Sequence, residues 1–147
     1  MRAVIQRVKK ATVKILSTKE ERSIGNGLLV FLAIKTDDTM EMIKWFANKI
    51  VNLRIFPDSE NKMNLSVRDI NGEIMVISNF TLYGDVSRGF RPNFMFSANP
   101  ELAKNLYQQF VEYLRNNYPI PIVSGDFGEM MNIELVNDGP VTIIIDK

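Results

Sequence analysis

Apolar residues alternate with polar ones, or gather in short runs, along most of this chain, which predicts a protein built mainly from strands. Residues 3–5 and 11–16 predict the two arms of a hairpin, and Leu28 to Ile34 is the most apolar run of all. The remaining runs that predict strands are residues 54–56, 63–67, 73–82, 123–127, 130–136 and 141–145.

Two segments instead repeat apolar residues at helical spacing. Residues 39–52 follow candidate N-caps at positions 37–39. The second helix begins at Asn99-Pro100-Glu101, which supplies a capping side chain, a proline at the first helical position and an acid in the first turn. The apolar stripes are Met40, Ile43, Ala47, Ile50 and Val51, and Leu102, Leu106, Phe110, Tyr113 and Leu114. This pattern predicts an α+β fold, with a curved, mostly antiparallel, barrel-like sheet and two amphipathic helices packed on it.

Glycine-containing turns separate several of the strands. Gly25-Asn26-Gly27 and Asn71-Gly72 both predict hairpin turns. The first is not a phosphate-binding loop, because a strand follows it where a helix is needed. Residues 58–62 carry two acids but place a lysine at a ligand position and lack the central glycine of a calcium loop, so they predict a plain turn.

Length and composition are those of an ordinary globular protein. With 147 residues, 46% of them hydrophobic and 24% charged, and with no repeats or linker, the chain is expected to form one domain over residues 1–147. It has no cysteine, its first residues are charged too early for a signal peptide, and no apolar run approaches the roughly 18 residues of a membrane span. A cytoplasmic location is therefore expected.

The absence of two residue types narrows the possible chemistry. Without histidine or cysteine, the chain has no Ser-His-Asp or Cys-His nucleophile system and no histidine-ligated metal. Hydrolysis would have to use carboxylates, Lys, Tyr, Ser/Thr, backbone groups or the substrate itself. The net charge of +1 neither indicates nor excludes RNA, because a protein that grips only an RNA end needs few phosphate contacts.

Several residues are candidates for a site, each with a simpler interpretation. Ser78 and Thr81 lie in an apolar strand and would face opposite sides of it, although a threonine at a strand end often only satisfies a carbonyl. Arg88, Phe90 and Arg91 could contact phosphates and a base, although surface arginines beside a proline are common. The acids near glycine turns, more often solvated than catalytic, are Asp85, Asp126, Glu129 and Asp138.

The stretch Asn137-Asp138-Gly139-Pro140-Val141-Thr142 lies between two apolar runs. Ordinary turn chemistry predicts a hairpin tip at the surface here. Together with Ser78-Asn79-Phe80-Thr81-Leu82, however, this stretch resembles the pair of signature motifs of the D-aminoacyl-tRNA deacylases, also called D-tyrosyl-tRNA deacylases. Asn79 departs from the family pattern, which usually has glutamine there. Other family-like segments are residues 5–8, 27–30, 54–58, 62–65, 88–92 and 125–131.

The resemblance implies an enzyme that hydrolyses the ester of D-aminoacyl-tRNA, and of mischarged glycyl-tRNA, without a metal or cofactor. It also implies a homodimer, in which a cis Gly139-Pro140 element reaches into the partner's pocket and rejects L-amino acids with its backbone. The tRNA 3′ aminoacylated end would be the bound partner. In this picture Arg7 braces the Gly-Pro element, while Phe127 and Met131 line the pocket beside Ser78 and Asn79.

For the reaction, backbone N–H groups near Phe80 and Thr81 are expected to stabilise the oxyanion, and the ribose hydroxyl beside the ester is expected to activate water. In the rival mechanism Thr81 is a nucleophile, but the sequence shows no adjacent base. Two other functions stay open: an RNA 3′-end binding module without turnover, if Asn79 reflects a lost activity, and a hydrolase of other small esters.

Overall fold

The fold is organised around one long strand. The computed structural model describes residues 1–147, and its first strand, β1 (Arg2–Ile15), pairs antiparallel along nearly its whole length with the last, β8 (Met131–Asp146). The other edge of β1 is shared: its first half pairs with β3 (Gly27–Ala33) and its second half with β2 (Glu21–Ile24), both antiparallel.

Two parallel strands extend the sheet beyond β3. The strand β6 (Glu73–Ser78) pairs parallel with β3, and β7 (Ile122–Ser124) pairs parallel with β6. The result is a curved, six-stranded mixed sheet that nearly closes into a barrel. A separate small pair joins β4 (Phe56–Pro57) to β5 (Met63–Leu65), as the two apolar runs there predicted.

Both helices form where the apolar spacing predicted them. The first, α1 (Met40–Val51), begins after Thr39, and the second, α2 (Pro100–Asn117), begins after Asn99. The Asn99 side-chain oxygen accepts a hydrogen bond of 2.9 Å from the N–H of Leu102, which satisfies one of the free donors of the first turn. The predicted α+β class is confirmed. No helix of this structure is both long enough and apolar enough to span a bilayer.

The two faces of the sheet bury separate apolar clusters. The larger, with 26 buried residues, lies between the sheet and both helices. The smaller one lies on the opposite face. Consecutive residues of a strand point to opposite faces of the sheet, and Leu28 belongs to the first cluster whereas Leu29 belongs to the second. The seven buried members of the second cluster are Val8, Ala11, Val13, Ile24, Leu29, Met75 and Ile77.

Three of the predicted hairpin turns were wrong, and the sheet register explains why. Residues 3–5 and 11–15 lie on a single strand, since Arg7 to Lys10 contain no turn former; the register against β8 shifts there. The turn at residues 25–27 joins β2 to β3, which both pair with β1 and not with each other. The Asn71-Gly72 turn, with Asn71 at φ +51°, joins β5 to β6. These strands do not pair, because β6 belongs to the six-stranded sheet and β5 to the small pair with β4.

Gly27 is the residue that permits the parallel pairing of β3 with β6. A Cβ atom at this position would overlap the Glu73 carbonyl, which is backbone and cannot move aside. Only glycine therefore allows the two strands to approach this closely.

We expect Gly27→Ala to lower the free energy of unfolding by about 3 kcal/mol or more, because the strands must separate to admit the methyl group. Gly25→Ala is the matched control, since its Cβ would meet only the Glu73 side chain at 3.6 Å, an ordinary contact. Urea unfolding of both variants measures the difference. Equal stability of the two variants would contradict this account of the close approach.

Candidate active site

A mostly apolar cavity of about 530 Å³ opens where β6 ends. Its walls come from the end of β6 and the 3-10 turn after it, from the loop before α2 and the start of α2, and from the segment between β7 and β8. Fourteen residues line it: Ile34, Ser78, Asn79, Phe80, Phe94, Ser97, Ala98, Pro100, Ala103, Phe127, Gly128, Glu129, Met130 and Met131. Five of the sequence-predicted site residues are among them, namely Ser78, Asn79, Phe80, Phe127 and Met131.

The signature stretch leaves the sheet and turns sharply at this cavity. The predicted strand 73–82 ends early, at Ser78, and the N–H of Asn79 donates a 2.8 Å hydrogen bond to the Leu32 carbonyl as the last link to β3. A 3-10 turn then runs from Phe80 to Tyr83. The N–H groups at the start of such a turn have no partner within it, so those of Phe80 and Thr81 remain free donors beside the cavity.

Phe80 is held at the cavity by the loop that precedes α2. Its ring is 55% exposed and meets the Phe94 ring edge to face, with centroids 5.1 Å apart. The Ser97 hydroxyl donates to the Phe80 carbonyl at 3.1 Å. These two contacts fix the 3-10 turn against the loop and so fix the direction of its backbone.

Thr81 is not placed as a strand residue. It lies in the 3-10 turn with an exposed side chain, so the prediction that Ser78 and Thr81 occupy opposite faces of one strand was wrong. The Thr81 hydroxyl donates a 2.6 Å hydrogen bond to the Asn79 side-chain oxygen. That oxygen is a neutral amide acceptor and not a base, and Thr81 does not itself line the cavity.

The cavity wall that contains Phe127 and Met131 is held in place by packing and hydrogen bonds. The Phe127 ring lies 6.0 Å from the ring of Tyr107, whose hydroxyl is within hydrogen-bond distance of the carbonyls of Val76 and Gly125, at 2.9 and 3.0 Å. Burial raises the pKa of Tyr107, which keeps the hydroxyl neutral as a donor. Met131 packs against Gly125, where a Cβ would collide with the methionine sulfur.

The cavity contains very little charge. Glu129 is its single ionisable lining residue, exposed and accepting a 2.7 Å hydrogen bond from the Ser17 hydroxyl. The other candidate acids do not converge on it. Asp126 pairs with Arg22 at 2.7 Å, and the pKa of Asp85 is lowered by hydrogen bonds from Ser87. The site is therefore built to bind and to present backbone groups, and it has no pair of carboxylates for acid–base work.

The Gly139-Pro140 element occupies a bulge in β8. Thr142 pairs with Gln6 and Asn137 pairs with Val8, so residues 138–141 together face the single residue Arg7. The two apolar runs on either side both pair with β1, so the hairpin tip that ordinary turn chemistry predicts does not form. The Gly139-Pro140 peptide bond is cis, as the family resemblance implied, and both residues are exposed.

Side chains fix this bulge from both sides. The Asn137 amide spans it, accepting from the Val141 N–H at 2.9 Å and donating to the Val141 carbonyl at 3.2 Å. Gly139 has φ +147° and its Cβ position would collide with Val141, so the bulge requires glycine there. The element is thus a fixed protrusion of main chain.

Arg7 lies buried behind this element and contacts it. Its side chain is 10% exposed; its Nε donates to the Asp138 carbonyl at 2.9 Å and lies 3.2 Å from the Asp138 carboxylate. A second guanidinium nitrogen donates to the carbonyl of Ile55, in the connection between α1 and β4. One side chain therefore ties β1, the bulge and the helical layer together.

The predicted site residues do not all meet in a single chain. The cavity contains the five residues named above, and Thr81 lies in the 3-10 turn beside it. Gly139 and Pro140 belong to the bulge, Arg7 lies opposite them on β1, and none of these three lines the cavity. Sequence reasoning missed the contribution of the loop before α2, namely Phe94, Ser97 and Ala98. The apolar cluster Phe94-Met95-Phe96 inside an otherwise polar loop was the available signal.

Comparison with known proteins identifies the family. The family model for D-Tyr-tRNA(Tyr) deacylase matches residues 4–146. Proteins named D-aminoacyl-tRNA deacylase from Thermosipho africanus and Petrotoga mobilis are each 53% identical over 147 residues, which is 100% of this chain and 97% of theirs.

Solved structures share the fold. One described as a c-Myc DNA unwinding element binding protein has a TM-score of 0.93 and 39% identity, and covers 100% of this chain and 99% of its own. A probable eukaryotic D-amino acid tRNA deacylase has a TM-score of 0.85 at 18% identity, covering 99% and 98%. The family model and the curated relatives, together, define the class of protein as a deacylase, an enzyme that cleaves an acyl bond. The chain belongs to the D-Tyr-tRNA(Tyr) deacylase family.

We expect Arg7→Met to lower the free energy of unfolding by about 2–4 kcal/mol, because it leaves the Asp138 and Ile55 carbonyls without their donor and removes one partner of a partly buried ion pair. Lys9→Met is the matched control. Lys9 contacts the same Asp138 carboxylate at 3.3 Å, but its side chain is 62% exposed, and such pairs contribute about 1 kcal/mol or less. Denaturant unfolding separates the two variants, and an equal loss in both would rule out the bracing role.

Proposed function

We propose that this protein hydrolyses the ester bond of D-aminoacyl-tRNA, and of mischarged glycyl-tRNA, and releases the free amino acid and tRNA. The activity rests on the family match over residues 4–146 and on relatives of that name at about 50% identity. The observation that carries it is the cavity itself, whose wall is the Ser78-Asn79-Phe80 stretch at the end of β6. The deacylase is further proposed to be cytoplasmic and to form a single domain over residues 1–147.

Backbone electrostatics supports ester cleavage at this position. When water attacks an ester carbonyl, negative charge develops on its oxygen, and preorganised N–H donors in an apolar surrounding stabilise that charge. The free N–H groups at the start of the 3-10 turn, at Phe80 and Thr81, provide such donors. An aminoacyl ester is already activated, so this stabilisation and correct positioning supply much of what the reaction needs.

The attacking water is activated by the ribose hydroxyl next to the ester. This assignment is supported by the side chains near the turn, which include no base bonded to Thr81 and no second carboxylate beside Glu129. A threonine that donates to a neutral amide oxygen has no proton acceptor that would make it a nucleophile. Thr81 therefore orients Asn79, and through it one wall of the cavity.

Selectivity for handedness comes from the Gly139-Pro140 bulge acting in a homodimer. Gly139 and Pro140 are exposed and do not line the cavity of their own chain, so the proposal assigns them to the cavity of a second copy. There the backbone carbonyls would accept the ammonium of the substrate and occupy the volume that an L side chain needs. A D side chain points elsewhere, and glycine has none, so both pass. A steric clash of this kind discriminates more sharply than a change of pocket size.

The direct test compares D-tyrosyl-, L-tyrosyl- and glycyl-tRNA as substrates of the purified enzyme. We expect rapid release of D-tyrosine and glycine and sparing of the L ester by a factor of at least about a thousand, equivalent to about 4 kcal/mol. Release of labelled amino acid over time measures all three. Binding without release would favour an RNA-end binding module, and cleavage of free amino-acid esters as fast as of tRNA would favour a general esterase.

Mixed dimers then test whether the bulge acts on the partner. One protomer has its cavity filled by Ala98→Trp, and the other has its bulge altered by Pro140→Ala. If the bulge serves the partner's cavity, the single open cavity of the mixed dimer receives an intact bulge and spares the L ester. If it serves its own cavity, the mixed dimer cleaves the L ester at about half the rate per dimer of the Pro140→Ala homodimer.

The origin of the base is tested by two changes. We expect Thr81→Ala to retain most of the deacylation rate, whereas replacement of the terminal ribose 2′-hydroxyl by hydrogen slows the reaction by about 10²–10⁴-fold, the usual contribution of a general base. Single-turnover rates at saturating enzyme isolate the chemical step. Complete loss in Thr81→Ala with binding retained would support the nucleophile mechanism, and an unchanged rate with the deoxy substrate would exclude substrate assistance.

A further inference from the structure

The loop between the 3-10 turn and α2 has a fixed base and a projecting tip. Asp85 and Asn93 form an antiparallel bridge with backbone hydrogen bonds of 2.8 and 2.9 Å. Gly89, at φ +71° and with open space around it, turns the chain at the far end. Residues 85–93, which we call the arginine loop, therefore stand out from the surface as a closed hairpin-like excursion.

The tip of the arginine loop carries two unneutralised cations on either side of a bare aromatic ring. Phe90 is as exposed as a side chain can be, and Arg88 and Arg91 are exposed and form no ion pair or hydrogen bond within the chain. Asp85 is the loop's single acid, and its carboxylate accepts from the Ser87 N–H at 2.8 Å. A fully exposed phenyl ring contributes little to folding, and here it stands beside two cations that have no partner in the chain.

The arginine loop is rooted at the cavity wall. Phe94, directly after the loop, lines the cavity and packs on Phe80. Three peptide links separate Phe94 from Arg91, so their Cα atoms are at most about 11 Å apart. An arginine side chain extends several ångströms further. The tip therefore lies within one or two nucleotide lengths of the cavity, close enough to contact a molecule whose end is bound there.

We propose that Arg88, Phe90 and Arg91 bind the single-stranded 3′ end of tRNA immediately upstream of the aminoacylated nucleotide. The arginines contact backbone phosphates, and Phe90 stacks on an unpaired base. This inference rests on the proposed function and extends it to the part of the substrate outside the cavity. A single strand fits better than a duplex because only unstacked bases offer a face to an aromatic side chain.

Binding of uncharged RNA tests the arginine loop without requiring turnover. The probe is a fluorescently labelled RNA hairpin that ends in the unpaired 3′ CCA sequence of tRNA, measured by anisotropy from 50 to 300 mM salt. We expect Phe90→Ala to weaken binding by about five- to a hundredfold, the effect of removing one base stack. The double variant R88Q/R91Q should reduce the slope of log affinity against log salt by about 1.4, because each single-strand phosphate that is no longer neutralised lowers the slope by about 0.7.

Arg68→Gln is the matched control for charge. Arg68 is also exposed, but it lines a different cavity that shares no residue with the one at β6. It should leave both the affinity and its salt dependence unchanged. Wild type and the loop variants should bind a blunt hairpin without the CCA extension with equal affinity.

Kinetics separates this inference from the proposed function. With D-tyrosyl-tRNA, the loop variants should raise KM by the same factor by which they weaken RNA binding and leave kcat unchanged. With D-tyrosyl-adenosine, which lacks the upstream nucleotides, they should match wild type. If wild type hydrolyses D-tyrosyl-tRNA but the loop variants bind RNA as tightly as wild type, the arginine loop assignment alone is overturned. Loop-dependent RNA binding without hydrolysis would support that assignment and overturn the proposed activity.

A second copy of the chain is the competing occupant of this surface. Sedimentation of wild type, Phe90→Ala and R88Q/R91Q measures the oligomeric state directly. Unchanged oligomers with weakened RNA binding support the proposal. Dissociation of the oligomer, with RNA affinity per subunit preserved, would instead assign the tip to subunit contact.

Discussion

The position of the bulge in this protein depends on the hydrogen bonds that the buried guanidinium of Arg7 donates. Arg7 lies in the long strand β1 directly opposite the four residues of the β8 bulge, and it donates to carbonyls of the bulge and of the connection after α1. A buried cation is tolerated only where acceptors surround it, and here the acceptors belong to different parts of the fold. The same bonds that satisfy Arg7 therefore fix the bulge relative to the sheet and to the helical layer.

The cavity depends on a different constraint, the change from antiparallel to parallel pairing at β3. Because β6 runs parallel to β3, it ends at the edge of the sheet where the loop before α2 crosses. The chain can leave the sheet there and turn into the 3-10 segment with unpaired N–H groups. Gly27, at the other end of the same strand pair, makes that pairing possible. Packing at one end of β3 thus determines which backbone groups are free at the other.

Local sequence signals predicted the helices, the Asn99 cap of α2 and most strand positions, because amphipathic spacing and proline or asparagine at a helix start act over a few residues. Thr39, the N-cap residue of α1, forms no side-chain capping bond. Strand partners were beyond those signals. The Gly25-Asn26-Gly27 and Asn71-Gly72 turns have hairpin chemistry, yet the strands around them pair elsewhere, since pairing is decided by which faces bury together. For the same reason Thr81 was placed on a strand, and the wall built by Phe94 and Ser97 was missed. The signature residues were predicted by family resemblance and not by periodicity.

The Asn137 bridge across the bulge has an entropic consequence. A protruding loop usually loses conformational freedom when a ligand meets it, and that loss weakens binding. Here residues 138–141 have already lost their conformational entropy during folding, through the hydrogen bonds between the Asn137 amide and Val141 and the hydrogen bond from Arg7. Any molecule that touches this bulge encounters a surface that neither yields to accommodate it nor has to be ordered by it.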